Sequence, residues 1–221
     1  MAHLDLEEQE QLDQLRAFWR QWGNLITWLL IAVLGAYAAW NGFQWWQRSQ
    51  AAQAAGLYEQ VDEAARGGDV ERLNRAFDTI RDKAGSSVLA QQAGLLTART
   101  LFEKEQTDAA RAALTWVADK GSDTGLRAIA KLRLAALLTA AKSFDAALAQ
   151  LGSDFPAPFA PLVADQRGDV LSMQGNRDAA VAEYRKALAG FGDRADYRRL
   201  VEIKLTALGV NASASTAEAK S

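Results

Sequence analysis

Hydrophobic and charged positions divide the chain into three parts of different character. Residues 1–20 are acidic, residues 21–47 contain no charged side chain, and from residue 51 apolar positions recur at spacings of three and four. The last pattern is typical of amphipathic helices, because 3.6 residues per turn bring such positions onto one face. No segment alternates apolar and polar positions as a half-buried strand does. The sequence therefore predicts an all-α protein.

The uncharged stretch predicts a single membrane-spanning helix. Its most apolar part, residues 25–40, and the longer segment 22–46 give helices of roughly 24 and 37 Å, which bracket a hydrocarbon slab of ~30 Å. Six of the seven tryptophans lie between residues 19 and 46, most of them near the two ends, as in interfacial aromatic belts. A buried helix of a soluble protein is the alternative, although such helices rarely lack charge over this length. Because the acidic start is unlike that of a cleaved signal peptide, we expect an uncleaved signal anchor.

Charges that flank this segment predict its orientation, and small residues within it predict a packing face. Arg16 and Arg20 precede the segment, whereas only Arg48 follows it closely. The positive-inside rule then favours a cytoplasmic N-terminus and a C-terminal domain across the membrane. Gly35 and Ala39 form a small-xxx-small face against which another membrane helix can pack.

Turn residues divide the remainder into about nine short helices, and these helices repeat in pairs. In the clearest unit, residues 161–192, small residues at Gly168 and Ala180 allow two antiparallel helices to approach closely. This arrangement is typical of the 34-residue tetratricopeptide repeat. Earlier pairs have a residue equivalent to Ala180, followed four positions later by a larger side chain; these anchors are Leu73, Ala110 and Ala147.

The repeats predict a tetratricopeptide-like α-solenoid of about four helix pairs with a capping helix at its C-terminal end. For the capping helix, residues 196–208, we expect an apolar face formed by Tyr197, Leu200, Val201 and Leu205. An irregular α-bundle is the alternative architecture.

The composition offers little chemistry for catalysis. The chain has no cysteine and a single histidine, His3, in the acidic N-terminal segment, which excludes Ser-His-Asp catalysis and multi-histidine or thiolate metal sites. Residues 51–221 balance 22 basic against 22 acidic side chains, so no basic face for nucleic acid is expected. Phosphate-binding and dinucleotide-binding loops are absent from the sequence. We predict no enzyme activity, no cofactor, no metal site and no small-molecule substrate. A deep pocket with converging carboxylates of strongly shifted pKa would instead favour an enzyme.

A solenoid of this kind binds through the surface lined by the first helix of each pair. The middle of that surface is predicted to be apolar and to suit extended or helical peptide segments. Alternatively, Leu95, Leu132 and Leu162 are part of the core between helices. The predicted groove residues are Tyr58, Asp62, Leu95, Arg99, Phe102, Ile129, Leu132, Ala136, Leu162, Asp165 and Asp169.

Taken together, the order of parts resembles a known bacterial family. The acidic segment LDLEEQEQLDQLRAFWRQWGN, one anchor, degenerate repeats and the closing sequence RRLVEIKLTALG are similar to the YfgM family of ancillary SecYEG translocon subunits. The resemblance covers residues 4–209 and implies a single-pass bacterial inner-membrane protein with a periplasmic repeat domain. It also implies three kinds of partner: the SecYEG translocon, a PpiD-type periplasmic chaperone and secreted client proteins.

The predicted organisation follows from these observations. Residues 1–20 form an acidic cytoplasmic segment, 21–47 the transmembrane signal anchor, 51–209 the periplasmic repeat domain and 210–221 a disordered tail. The predicted function is that of a non-catalytic adaptor that passes secreted proteins to periplasmic chaperones. The alternative is an envelope scaffold or a regulatory protein, such as an assembly factor or a binder of a response regulator, unrelated to secretion.

Overall fold

The computed structural model describes residues 6–152, 154–192 and 195–210. The predicted disordered tail lies, from residue 211 onward, outside the described residues, as does His3. Within the described ranges the chain forms nine α-helices and no strand. In chain order they are α1 (Leu6–Gly67), α2 (Val70–Ala84), α3 (Val88–Glu103), α4 (Thr107–Lys120), α5 (Thr124–Ala140), α6 (Phe144–Gln150), α7 (Ala160–Met173), α8 (Arg177–Gly190) and α9 (Ala195–Ala207). A short 3₁₀ helix, Ala157–Phe159, precedes α7.

Helix α1 contains the uncharged stretch and also the first helix of the repeats. The chain divides into two compact units, Met1–Ala52 and Gln53–Ser221, so the last turns of α1 belong to the second unit. Among the described residues, one segment, Arg16–Gly67, is long and apolar enough to cross a membrane, with a mean hydropathy of 1.5 over its most apolar window. Only 6% of that window is buried by the rest of the protein. Its leucines and tryptophans are exposed in the part of the chain that the structure describes, unlike those of a core helix.

The predicted turns supply side chains that cap the helices. Asp69 and Ser87 accept hydrogen bonds from backbone N–H groups in the first turns of α2 and α3, and Asp123 does the same for α5. Such caps satisfy N–H donors that the helix itself leaves free. Gly68, in the turn before α2, has φ 67°, a left-handed conformation that residues with a side chain adopt less readily. Turn chemistry thus fixes where one helix ends and the next begins.

Successive helices of the second unit pack in pairs, α3 with α4, α5 with α6 and α7 with α8. The four anchors named from the sequence, Leu73, Ala110, Ala147 and Ala180, are each 0% exposed. The larger residues four positions later are also buried; they are Phe77, Leu114, Leu151 and Tyr184. The predicted fold class, an all-α chain with a long apolar N-terminal helix followed by tetratricopeptide-like helix pairs and a capping helix, is confirmed.

A fully buried glutamine takes part in hydrogen bonds that connect the α2–α3 turn with the α4–α5 turn. Gln91 is 0% exposed, and its Nε2 donates to Ser122 Oγ at 2.7 Å. Its Oε1 accepts from the backbone N–H of Asp123 at 3.0 Å, while Ser122 Oγ donates to the Ser86 carbonyl. Both ends of the amide are satisfied, so the buried polar group costs little and holds the α2–α3 turn against the α4–α5 turn.

The capping helix α9 differs from the sequence prediction in which residues it buries. Val201 and Leu205 are 1% exposed, whereas Tyr197 and Leu200 remain 50% and 48% exposed. Helical geometry explains the difference, because Leu200 lies about 100° around the helix from Val201 and cannot share its contact surface fully. Tyr197 covers the core from outside by stacking on Phe191, with 5.2 Å between ring centroids.

Candidate protein-binding groove

The predicted groove residues lie on the first helices of the pairs, α1, α3, α5 and α7, but at different depths. Leu95 is 8% exposed and belongs to the core. Tyr58 and Ile129 are half-buried against the same core, Leu162 against the C-terminal core and Leu132 against a smaller cluster beneath α5. Arg99 and Phe102 are exposed. The residues most open to a partner are therefore on the outer turns of α3 and the neighbouring side of α5.

A cleft of about 490 Å³ lies between α3 and α5. Leu114 of α4 contributes to its wall, and Phe102 stands at its edge with 53% of its surface exposed. The two charged residues in its lining are Arg99 and Arg133. The complete lining is Ala98, Arg99, Phe102, Leu114, Arg133, Ala136, Leu137 and Ala140. This volume is within the range of about 300–1,000 Å³ that is usual for ligand pockets.

Arg133 was missed by the sequence reasoning, although the repeat length points to it. Arg99 and Arg133 are 34 residues apart, and so are Phe102 and Ala136. The tetratricopeptide period is also 34 residues. A strict 34-residue period therefore makes Arg133 equivalent to Arg99. The apolar pattern had instead favoured the preceding residue, Leu132.

A second cleft of about 370 Å³ continues from the first, since both are lined by Ala136 and Ala140. Its other lining residues include Met173, which is 57% exposed, and Asp169. The complete lining is Ala136, Thr139, Ala140, Gln166, Asp169, Ser172, Met173 and Tyr184. One side of α5 thus carries a continuous groove that is apolar near α3, apart from two arginines, and more polar near α7.

Two of the three predicted groove carboxylates, Asp165 and Asp169, are engaged by a lysine of the capping helix. The third, Asp62 on α1, pairs with Arg66 of the same helix. Lys204 Nζ lies 2.8 Å from Asp165 Oδ1 and 2.8 Å from Asp169 Oδ1, and Tyr184 donates its hydroxyl to Asp169 at 2.8 Å. Burial raises the pKa of Asp165, although hydrogen bonding and charge from Lys204 oppose that shift. Burial also raises the pKa of the Tyr184 phenol, and the hydrogen bond to Asp169 adds to the rise. This cluster anchors α9 to α7 and α8 and sets the end of the groove.

Lys204→Met is expected to destabilise the protein by about 1–2 kcal/mol at neutral pH, because it leaves two neighbouring carboxylates without their cation. The side chains of Lys204 and Asp165 are 23% and 16% exposed, but that of Asp169 is 40% exposed, so the effect is smaller than for a fully buried pair. The measurement is the free energy of unfolding from denaturant titration of the full chain in detergent. Lys83→Met, a change at an exposed position on α2, is the matched control and should stay within about 0.5 kcal/mol of wild type.

The loss of stability caused by Lys204→Met depends on pH through the titration of Asp165, whose pKa is raised in the folded protein. A raised folded-state pKa means that the native protein binds this proton more tightly than the unfolded chain. The stability that comes from binding this proton is therefore fully present below the pKa of Asp165 in the unfolded chain, about 3.9. It is lost as the pH rises through the pKa of Asp165 in the folded protein. Because Lys204 lowers this pKa, its removal raises the folded-state pKa of Asp165 further. The deficit of Lys204→Met should therefore shrink as the pH falls through the folded-state pKa values of the variant and the wild type, since a protonated Asp165 no longer needs the lysine. A deficit that stays constant with pH would contradict this assignment.

The predicted membrane packing face is open on α1. Ala39 is exposed, and a Cβ added at Gly35 would meet no heavy atom within 4 Å. Neither position is covered by the residues that the structure describes in the first unit, so the packing face stays a prediction.

Comparisons with known proteins agree on one family. A family model described as a tetratricopeptide repeat-like domain matches residues 16–210. A protein of Neisseria gonorrhoeae named ancillary SecYEG translocon subunit is 32% identical over 208 residues, which cover 94% of this chain and 99% of that protein. Proteins of the same name from Haemophilus influenzae and Escherichia coli are 28% and 26% identical. They are matched over 82% and 78% of this chain and 89% and 83% of their own lengths.

Proposed function

The chain belongs to the family of ancillary SecYEG translocon subunits with a tetratricopeptide repeat-like domain, and on that premise we propose that it is a non-catalytic, membrane-anchored adaptor at a SecYEG translocon. Its repeat domain passes secreted proteins to periplasmic chaperones of the PpiD type. The main support is the combination, in one chain, of an exposed apolar helix and an open groove between repeats. The relative from Neisseria gonorrhoeae, whose name refers to the translocon, is matched over 94% of this chain.

The proposal gives each part of the chain a role. Residues 1–20 lie in the cytoplasm, residues 21–47 cross the inner membrane once, and residues 51–209 form the periplasmic domain. The anchor holds the groove beside chains that emerge from the translocon. Because tethering raises the effective concentration of the groove near these chains, weak contacts are sufficient for capture.

Two observations favour protein binding over catalysis. The cleft between α3 and α5 is lined, apart from two arginines, by alanine, leucine and phenylalanine side chains. The predicted groove carboxylates are paired with basic side chains, Asp165 and Asp169 with Lys204 and Asp62 with Arg66, rather than directed at an open reaction site. An apolar surface of this kind recognises peptide side chains by burying them.

A topology reporter tests the proposed arrangement. Alkaline phosphatase fused after Ser221 should be active, and green fluorescent protein at the same site should be dark, because the first folds only in the periplasm and the second only in the cytoplasm. The same reporters fused after Arg20, ahead of the anchor, are the matched control and should give the opposite result. A fluorescent fusion after Ser221 would contradict the adaptor proposal and favour a cytoplasmic regulatory role.

A further inference from the structure

The cleft between α3 and α5 combines an apolar lining with positive charge. Among the residues described, Arg99 and Arg133 are the only charged ones that line it, and its other lining residues are alanines, leucines and Phe102. Phe102 keeps more than half of its surface exposed although it borders a concave apolar surface. The cleft can therefore cover additional apolar side chains, and its rim favours a negative charge.

The two arginines differ in their partners. Arg99 Nε lies 2.8 Å from Glu103 Oε1 within α3. Arg133, in the part of the chain that the structure describes, makes no ion pair, and its Nη1 donates only a long hydrogen bond of 3.4 Å to the Leu95 carbonyl. A guanidinium has five N–H donors in a fork that fits a carboxylate. Most of the hydrogen-bonding capacity of Arg133 is therefore unused at the edge of the cleft.

We propose that this cleft docks an apolar peptide segment of another protein that carries an acidic side chain, with Arg133 as the residue that binds the carboxylate. Leucine or phenylalanine side chains of the segment cover Phe102 and Leu137, and its aspartate or glutamate forms a charge-assisted pair with the arginine. The proposal rests on the proposed function, because it specifies which segments of a secreted client protein the repeat domain binds. The lining argues against a phosphate-bearing ligand, which would leave the apolar walls exposed to water.

Three short fluorescein-labelled peptides test this inference. They share the same leucine and phenylalanine positions and differ at one central residue, which is glutamate, glutamine or lysine. Fluorescence anisotropy measures the Kd of each peptide for the full chain in nonionic detergent. The wild-type protein should bind the glutamate peptide about tenfold more tightly than the glutamine peptide, as expected for one charge-assisted hydrogen-bonded pair.

Two variants and one control separate the charge from the apolar contact. Arg133→Glu should lose the preference for glutamate and bind the lysine peptide most tightly. Phe102→Ala should weaken the binding of all three peptides by a similar factor. Arg185→Glu changes an exposed arginine of α8 that lines neither cleft and should leave all three Kd values unchanged. Thermal unfolding followed by circular dichroism verifies that each variant is folded.

Equal affinity of the wild-type protein for the glutamate and glutamine peptides would overturn the role of Arg133. Unchanged binding after Phe102→Ala, or no binding of any peptide, would overturn docking in this cleft. Neither result affects the reporter at Ser221, so failure of this inference can be distinguished from failure of the proposed function.

Discussion

The double substitution Leu30→Arg and Leu34→Arg is expected to prevent stable insertion of the protein into the membrane. The two leucines lie near the middle of the uncharged stretch, and both are exposed on α1. An arginine near the centre of a spanning helix raises the free energy of membrane insertion by about 2.5–3.5 kcal/mol. Each substitution also removes a leucine side chain that favours the bilayer. Extraction of membranes at alkaline pH provides the measurement. The wild-type protein should stay in the pellet and the double variant should move to the supernatant.

Two arginines at the ends of the same stretch provide the control. Gln21→Arg together with Gln47→Arg adds the same charge, but long side chains at these positions reach the aqueous interface. This variant should remain in the pellet. If the Leu30 and Leu34 variant also remained fully in the pellet, residues 21–47 would not be the membrane-spanning segment.

Gly168→Ala is expected to destabilise the repeat domain by about 1–3 kcal/mol, the usual cost of overpacking a core. The added methyl carbon would lie 2.5 Å from Tyr184 Cε1 and 2.6 Å from Cδ1. The Tyr184 ring cannot move away easily, because it is 3% exposed and its hydroxyl is bonded to Asp169. The free energy of unfolding of the full chain in detergent is the quantity to measure.

Gly56→Ala is the matched control, since Gly56 is helical and a Cβ there would meet nothing within 4 Å. That change should be neutral or stabilise the protein by roughly 0.5–1 kcal/mol, because alanine restricts the unfolded chain more than glycine does. Combining Gly168→Ala with Tyr184→Leu should cost less than the sum of the two single changes, as the smaller side chain makes room for the methyl group. Strict additivity would show that the two residues do not compete for space.

The features that the sequence predicted well are those with a strong periodic signal. Three alanines and one leucine at intervals close to one repeat length identified the buried anchors, and all four are inaccessible in the structure. The absence of charge over residues 21–47 likewise identified the apolar part of α1. Both signals depend on the burial of apolar surface, which is periodic along a helix and can be read from one chain.

The features that sequence reasoning missed depend on contacts between distant helices. Lys204 was not among the predicted site residues, but it bonds to two carboxylates 35 and 39 positions earlier in the chain. Arg133 was passed over because the apolar pattern favoured its neighbour Leu132. Charged side chains have long flexible stems, so their positions follow their partners rather than helical period alone. Whether the predicted groove binds protein remains a prediction that the peptide experiments test.

The central claim is that the membrane span holds this protein beside the translocon, and photocrosslinking in cells tests it most directly. A photoreactive amino acid is placed singly at Gly35 and Ala39, and at Val33 and Tyr37, which point to the opposite side of the helix. Crosslinked products are then identified by mass spectrometry. We expect Gly35 and Ala39 to give products with subunits of the SecYEG translocon, and Val33 and Tyr37 to give far fewer. If none of the four positions yields a translocon subunit from correctly inserted protein, the claim is wrong.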